Sequence, residues 1–250
     1  MELPITQRTA VPRCLLLEWD SAFFGFRVAQ VAGEILSEST GRALLEWCEA
    51  HSLRCLYFLA DPNSAQTADV AHRLNFNMVD VRVQLSLKRG LLDSTTVAGF
   101  DLRTARSSDL AALQAIARGA HRDSRFFFDR HFPKARAEEL FATWIAADCA
   151  GRADRVFILD RKGIGAVAYI TCNLTTGLNA GRIGLVGVAS EFRGVGLGTA
   201  LVSGALNWFW SVDARTVFVV TQGRNVAAQR LYQGAGFRTE DVKIWYHRWF

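Results

Sequence analysis

The sequence lacks several features that would place the chain in a specialised class of protein. No uninterrupted apolar run approaches the roughly 20 residues that a membrane-spanning helix needs. Residues 1–4 show neither the basic nor the apolar region of a signal peptide. The five cysteines are odd in number and scattered, without the spacing of zinc ligands. We therefore expect no metal site, no membrane partner, and reduced thiols in a cytoplasmic protein.

A strong excess of one charge is also missing. The 250 residues carry 29 basic and 24 acidic side chains, a formal net charge of +5, and the two signs are interleaved. Nucleic-acid binders typically concentrate basic residues in a patch, so we expect no nucleic-acid partner. Salt-sensitive DNA binding would be the mark of that alternative. A mildly positive field suits the capture of polyanionic small molecules. Half of the residues are hydrophobic, which favours a folded domain over disorder.

The most informative stretch that is present is a glycine-rich run in the second half of the chain, Arg193-Gly194-Val195-Gly196-Leu197-Gly198. An apolar run that includes Leu185, Val186, Gly187 and Val188 precedes it, and an amphipathic stretch begins at Thr199. This order predicts a strand, a tight turn and a helix. Glycines let the backbone approach a ligand closely, and the first N–H groups of a helix have no partner within it. The run therefore predicts a pocket for a phosphate or pyrophosphate.

A second pattern follows the predicted helix. The β-branched run 216–221 indicates another buried strand, and Asn225 is well suited to cap the helix that comes next. Tyr232 lies seven residues after Asn225, so the two side chains share one helix face. Gly236-Phe237 then ends the helix before a final strand. A Rossmann dinucleotide fold is the natural rival, but no acidic residue ends the strand after the glycine loop.

These paired motifs resemble those of the GNAT acyltransferase superfamily. Arg193, Gly196 and Gly198 match its glycine-loop pattern, and Asn225, Ala228 and Tyr232 match its later helix pattern. The resemblance covers roughly residues 100–250. It implies a mixed α/β fold and acetyl-CoA as co-substrate.

The same resemblance implies roles for the matched residues. The strand at residues 185–188 pairs with the pantetheine arm and presents a backbone N–H at Gly187-Val188 to the thioester carbonyl. Residues 193–199 hold the pyrophosphate. Asn225 and Ala228 lie beside the arm, and Tyr232 acts as general acid on the departing thiolate.

An internal repeat indicates a second, incomplete copy of this unit. Residues 47–87 align with residues 208–248 without a gap, with Phe76 over Phe237. Ser64 stands in place of Asn225 and Ala71 in place of Tyr232, and the first copy has no glycine loop. We therefore predict a partial GNAT-like domain at 1–92, a linker at 93–100 and a GNAT acetyltransferase domain at 101–250.

Residues 19–25 carry a Trp-Asp-Ser-x-Phe-Phe-Gly element that resembles the dTDP-fucosamine acetyltransferase group, as does the run Ser124-Arg125-Phe126. The resemblance implies a small-molecule amine acceptor, a dTDP-linked amino-deoxy sugar, in surface polysaccharide precursor synthesis. Phe24, Arg125, Phe126 and Asp129 are the predicted acceptor-binding residues. A buried aromatic cluster under a charged face explains the same pattern.

Several alternatives stay open. The acceptor could be another amino sugar, an aminoglycoside or a protein amine, and a non-catalytic acyl-CoA sensor would use the same fold. Among His121, Asp123, Asp129 and His131, none stands out as the general base. The sequence also leaves the oligomeric state open, a homodimer included.

Overall fold

The computed structural model describes residues 14–90, 95–175 and 177–250. Residues 1–13 and 91–92 of the first predicted domain, and residues 93 and 94 of the predicted linker, lie outside the described residues. The described ranges contain these helices and strands in chain order: β1 (Cys14–Leu16), α1 (Glu18–Phe24), β2 (Val28–Val31), α2 (Glu38–Ala50), β3 (Cys55–Ala60), α3 (Ala65–Arg73), β4 (Asn77–Lys88), β5 (Asp101–Thr104), α4 (Leu110–Ala120), α5 (Arg125–Phe128), α6 (Lys134–Ala147), β6 (Arg155–Arg161), β7 (Gly165–Thr175), β8 (Ala180–Val188), α7 (Leu197–Ser211), β9 (Thr216–Gln222), α8 (Val226–Gly234) and β10 (Arg238–Trp249). None of these helices combines the length and apolar character that crossing a bilayer requires.

The chain divides into two compact units. The first unit combines Met1–Val81 with Val242–Phe250. Its strands lie in the order β1-β2-β3-β10, with β2 and β3 parallel and the other neighbours antiparallel. Helices α2 and α3 contribute Leu44, Cys48 and Val70 to a core that also buries Leu56 and Phe58 of β3. This core forms because the strand is apolar on successive residues and each helix buries one stripe.

The second unit is Arg82–Asp241. Its strands lie in the order β4-β9-β8-β7-β6-β5, and only β8 and β9 run parallel. Helices α4 and α6 bury Leu113, Phe141 and Ile145 against Tyr169 of β7. Helix α7 packs closely on β8, because the ring of Phe209 fills the space where a side chain at Gly181 would lie.

The described part of the predicted linker runs along α7 in the second unit. The N–H of Thr95 donates to Ser203 Oγ at 3.2 Å. Leu102, at the start of β5, fills the space beside Gly204, where an added Cβ would lie 2.2 Å from Leu102 Cδ2. Small residues on α7 therefore allow this segment to pack close to the helix.

The element bounds repeat along the chain. If Phe76 is aligned with Phe237, α3 coincides with α8 and β4 coincides with β10 residue for residue. We call residues 38–88 the first segment and residues 197–249 the second segment. Residues with positive φ also coincide: Asn75 corresponds to Gly236, with φ of 58° and 90°.

Hydrogen bonds repeat in the same way. Ser64 caps α3 by accepting from the N–H of Thr67, and Asn225 caps α8 by accepting from the N–H of Ala228. The N–H of the phenylalanine after each helix donates to the carbonyl at the corresponding position, Ala71 or Tyr232. Agreement at this level supports the duplication predicted from the sequence.

The two segments exchange their last strands. Strand β10 pairs with β3, and β4 pairs with β9. The two pairings share one register, since Ile244 lies opposite Ala60 and the corresponding Val83 lies opposite Thr221. Each compact unit therefore contains residues from both predicted ranges, 1–92 and 101–250. Those ranges remain a prediction from the sequence.

The cap of α3 offers a test of this repeat. Ser64→Ala removes the side-chain acceptor for the N–H of Thr67, and we expect the free energy of unfolding to fall by about 1 kcal/mol. Ser64→Asn, which places the residue of the second segment at this cap, should retain the wild-type stability. Urea unfolding followed by circular dichroism measures both, and equal midpoints for Ser64→Ala and wild type would contradict the expectation.

Candidate active site

The pairing between β8 and β9 ends early. These parallel strands pair only from Ala180 opposite Thr216 to Ile183 opposite Val219. Strand β8 then continues to Val188 and β9 to Gln222 without a shared hydrogen bond. We call the space between residues 184–188 and residues 220–222 the cleft.

A β-bulge on the other side of β8 accounts for the divergence. The register between β7 and β8 shifts between Ile170 and Cys172. Gly184 and Leu185 lie opposite the single residue Thr171, whose Oγ1 accepts the N–H of Leu185 at 2.8 Å. An extra residue in one strand bends that strand away from its neighbour. Glycine is required at 184, because an added Cβ would lie 2.4 Å from Thr171 Oγ1.

Beyond the bulge, the backbone of β8 alternates between β7 and the cleft. The N–H of Ala189 donates to Val167 O at 2.9 Å, and Gly187 lies opposite Tyr169. In an antiparallel pair every second residue is hydrogen-bonded to its partner strand. Gly187 therefore bonds to β7, and the N–H groups of Val186 and Val188 face the cleft.

The glycine loop follows β8 directly. Gly194 and Gly196 have φ of 82° and 88°, values that a residue with a side chain adopts only with strain. Gly196 caps α7 without a side-chain hydrogen bond. The N–H groups of residues 194–199 donate a hydrogen bond to no described residue. They form a cluster of free donors at a helix N-terminus, where the helix dipole adds positive potential.

The third glycine of the loop has a packing role. A Cβ at Gly198 would lie 3.1 Å from Leu231 Cδ2, so glycine lets α7 and α8 approach each other closely. Leu197 is buried and anchors the first turn of α7, whereas Arg193, Val195 and Thr199 are exposed. The loop is thus anchored by a buried residue, and its other side chains are exposed to solvent.

Helix α8 places Asn225 and Tyr232 in the second unit with the cleft strands. Asn225 Oδ1 accepts the N–H of Ala228 at 3.0 Å, so the cap occupies the side-chain oxygen. Tyr232 is 4% exposed and its ring meets the edge of Phe237 at 5.8 Å. No described residue hydrogen-bonds its hydroxyl. Burial raises the pKa of Tyr232, so the phenol is protonated at neutral pH and can donate.

The predicted acceptor residues lie in different surroundings. Phe126 is 2% exposed and packs against Phe132 and Trp144. Asp129 is also buried, and its carboxylate accepts the backbone N–H of His131 and pairs with that ring at 2.8 Å. The half-buried Arg125 lies over the Phe126 ring. Phe24 belongs to the first unit and is buried there, next to Phe23 and Phe26.

The structure also pairs Phe128 with Arg224, two residues that the sequence analysis did not select. Phe128 is 55% exposed, and the guanidinium of Arg224 lies 4.0 Å from its ring centroid. Arg224 also donates to Asp123 O at 3.5 Å. Its position directly before the helix cap Asn225 is the one sequence signal that would have pointed to it.

Two arginines tie the segment 119–128 to both sides of the cleft. Arg193, which follows β8, donates to Gly119 O at 3.4 Å and to Val188 O at 3.2 Å. Arg224, which follows β9, contacts Asp123 and Phe128 as described above. The segment therefore contacts one arginine that follows each of the two cleft strands. The described residues contain no group of three or more His, Cys, Asp or Glu side chains that could hold a metal ion.

Comparison with known proteins agrees with this geometry. The model of the Acetyltransferase (GNAT) family matches residues 118–237. A dTDP-fucosamine acetyltransferase of Escherichia coli O6:H1 is 30% identical over 237 residues, which cover 93% of this chain and 96% of that protein. The chain belongs to the GNAT family of acetyltransferases. It is therefore an acyltransferase, as predicted, and members of this family generally use acetyl-CoA.

Other relatives support the same assignment. The spore coat polysaccharide biosynthesis protein SpsD of Bacillus subtilis is 29% identical over 153 residues, 60% of this chain and 51% of that protein. A GCN5-related N-acetyltransferase from Sphaerobacter thermophilus has a similar structure, with a TM-score of 0.68 at 15% identity over 94% of this chain and 76% of that one. A tandem GNAT protein from the clavulanic acid biosynthesis pathway has a TM-score of 0.64 at 17% identity, over 89% of this chain and 75% of that one. The predicted GNAT fold is confirmed.

His121 is a titratable group of the second unit whose surroundings change its pKa. It lies at the end of α4, where its Nε2 is 2.8 Å from Tyr169 Oη. Burial and the nearby Arg193 guanidinium lower the pKa of His121 to about 4. Moving a proton from an ammonium of pKa about 8 onto such a ring costs about 5 kcal/mol. His121 is therefore a neutral hydrogen-bonding group and a poor general base.

The lowered pKa makes stability depend on pH. The unfolded chain binds a proton at His121 between pH 6.5 and about 4, where the folded protein does not. Acidification through this window should therefore lower the free energy of unfolding, by about 1–3 kcal/mol for a partly exposed ring. Chemical unfolding at pH 7 and pH 4.5 measures this, and His121→Gln should lose this part of the dependence. An NMR titration of His121 with a pKa above 6 would contradict it.

Proposed function

We propose that this chain is an acetyl-CoA-dependent N-acetyltransferase acting on the amino group of a dTDP-linked amino-deoxy sugar, by direct transfer in a ternary complex. The product would serve surface polysaccharide precursor synthesis. The observation that carries the proposal is the presence of two groups of unpaired backbone donors. One group lies on the cleft edge of β8 at Val186 and Val188, and a second, separate group is formed by the N–H groups of residues 194–199.

This set of donors fits acetyl-CoA in two places. The N–H groups of residues 194–199 suit a pyrophosphate, which accepts several hydrogen bonds and is favoured by the positive end of α7. The cleft edge of β8 suits the amide-bearing pantetheine arm, which can pair with a strand edge as an extra strand would. The exposed Arg193 adds positive charge between the two places.

The acceptor side favours an anionic substrate with a flat group. Arg193 and Arg224, which follow β8 and β9, hold positive charge beside the segment 119–128. The exposed ring of Phe128 offers a face for packing a base or sugar. A nucleotide-sugar diphosphate combines both chemical features. The E. coli relative is named for a dTDP-linked amino sugar, which supports this acceptor class.

Each step of acyl transfer has a group in this chain that would assist it. Holding amine and thioester in one cleft removes up to roughly 7–11 kcal/mol of entropic barrier. As the amine attacks the carbonyl carbon, negative charge develops on the carbonyl oxygen, and the N–H of Val188 stabilises it. The C–S bond then breaks, and the protonated phenol of Tyr232 donates to the thiolate.

The amine must lose a proton before or during attack. The lowered pKa of His121 disfavours it as the acceptor of that proton, and Asp129 is buried in its pairing with His131. The base stays unassigned, with Asp123, His131 and a water chain as the routes left open.

A thiol-release assay tests the proposed substrate class. With acetyl-CoA as donor, we expect release of free thiol with dTDP-linked 4-amino sugars at least about tenfold faster than with aminoglycosides, free amino sugars or a lysine peptide, since lost polar contacts commonly cost more than 1.4 kcal/mol. Faster release with another amine would replace the acceptor. No release with any amine, despite binding of acetyl-CoA, would favour a non-catalytic sensor.

Tyr232→Phe tests the general acid. The variant keeps the ring contact with Phe237 and removes only the hydroxyl, so we expect acetyl-CoA affinity to be retained and kcat to fall about 100-fold or more. Steady-state kinetics and calorimetric titration with acetyl-CoA measure the two quantities. Tyr246→Phe, at a buried tyrosine of the first unit, is the matched control and should retain kcat. Wild-type turnover of Tyr232→Phe would remove this role.

A further inference from the structure

One hydrogen-bonded pair in the second unit has no part in the steps above. Tyr169 of β7 is fully buried, and its hydroxyl forms a hydrogen bond of 2.8 Å with His121 Nε2. The His121 ring also stacks on Phe141, with centroids 4.4 Å apart and planes 19° apart. The imidazole is therefore held on its face and at one nitrogen.

The Tyr169 ring lies against Gly187 of β8, one of the residues that border the cleft. An added Cβ at Gly187 would be 2.5 Å from Cε1 of this ring and 3.0 Å from its hydroxyl oxygen. Glycine at 187 thus makes room for the phenol, and the phenol in turn supports the backbone there. Gly187 is bonded to β7, and the next residue, Val188, directs its N–H into the cleft.

The direction of the hydrogen bond follows from the neighbouring groups. Tyr169 has no other acceptor among the described residues, so its O–H donates to Nε2 and the ring proton of His121 resides on Nδ1. This arrangement needs a neutral imidazole. The surroundings keep it neutral, because burial and Arg193 lower the pKa of His121 to about 4.

We propose that His121 and Tyr169 are positioning residues for acyl transfer. Their hydrogen bond holds the phenol beneath Gly187 and thereby fixes the direction of the Val188 N–H toward the thioester carbonyl. This inference rests on the proposed function, in which that N–H stabilises the developing oxyanion. Loss of the bond should misdirect the donor without closing the site.

Tyr169→Phe removes the hydroxyl and keeps the ring. We expect kcat to fall about ten- to hundredfold, as for other small misplacements of a reacting group, while the KM for acetyl-CoA changes less than about twofold because the pyrophosphate loop is untouched. In the infrared spectrum of bound acetyl-CoA labelled with carbon-13 at the carbonyl, the band should return toward its frequency in free acetyl-CoA. Tyr57→Phe, at a fully buried tyrosine stacked on His247 in the first unit, is the matched control and should change neither kcat nor the band.

Variants at His121 separate positioning from packing. His121→Gln offers an oxygen acceptor to the phenol and should keep most of kcat, whereas His121→Leu fills similar volume without an acceptor and should behave as Tyr169→Phe does. The double variant Tyr169→Phe/His121→Leu should be no slower than either single variant, because both remove one interaction. Equal kcat for His121→Gln and His121→Leu would overturn the proposal, even if Tyr169→Phe did not fold.

The readouts distinguish this inference from the proposed function. A band that shifts on binding and is unchanged by Tyr169→Phe overturns the positioning role and leaves acetyl transfer intact. If wild type binds no acetyl-CoA, the proposed function fails. The ligand-free protein then still decides the positioning role, since the Val188 amide should exchange with solvent faster in Tyr169→Phe, and an equal rate overturns it.

Discussion

The end of the β8–β9 pairing at Ile183 and Val219 is the constraint on which the site depends. Backbone N–H and C=O groups inside a sheet normally have partners. The bulge at Thr171 directs β8 away from β9, and the strand edge beyond it is left with donors facing an open space. The loop at residues 194–199 holds a second, separate group of unpaired donors. A ligand rich in carbonyl and phosphate oxygens would satisfy both sets of groups.

The duplicated segments show why only the second carries this site. The helix that opens the first segment, α2, is capped by Ser37, whose side chain accepts the N–H of Thr40 in a capping box. Helix α7 opens the second segment with Gly196, which has no side chain to cap with. The first segment thus satisfies its own helix terminus with a side chain, and the second leaves its terminus without a side-chain cap. The backbone framework is shared, and the difference lies in a few cap and loop residues.

Patterns confined to one short stretch were readable in the sequence. The glycine loop, the Asn225 cap and the face shared with Tyr232 depend on neighbours within a few residues, so spacing alone specifies them. The contacts of the proposed acceptor side were not readable in this way. Phe126 and Asp129 look like binding residues by composition, yet both are buried in local contacts. Phe128 and Arg224 are in contact although they lie about 100 residues apart in the sequence, so no local pattern predicts their contact.

The sequence by itself determined the GNAT fold, the position of the glycine loop and the existence of an incomplete repeat, because each depends on periodicity, glycine spacing and helix caps. Only the tertiary structure decided which amide of β8 faces the cleft, that Gly187 is needed for the Tyr169 ring, and that the two segments exchange their last strands. These features depend on register and on contacts between strands distant in sequence. A shift of one residue in register would reverse every side chain and every N–H on the strand.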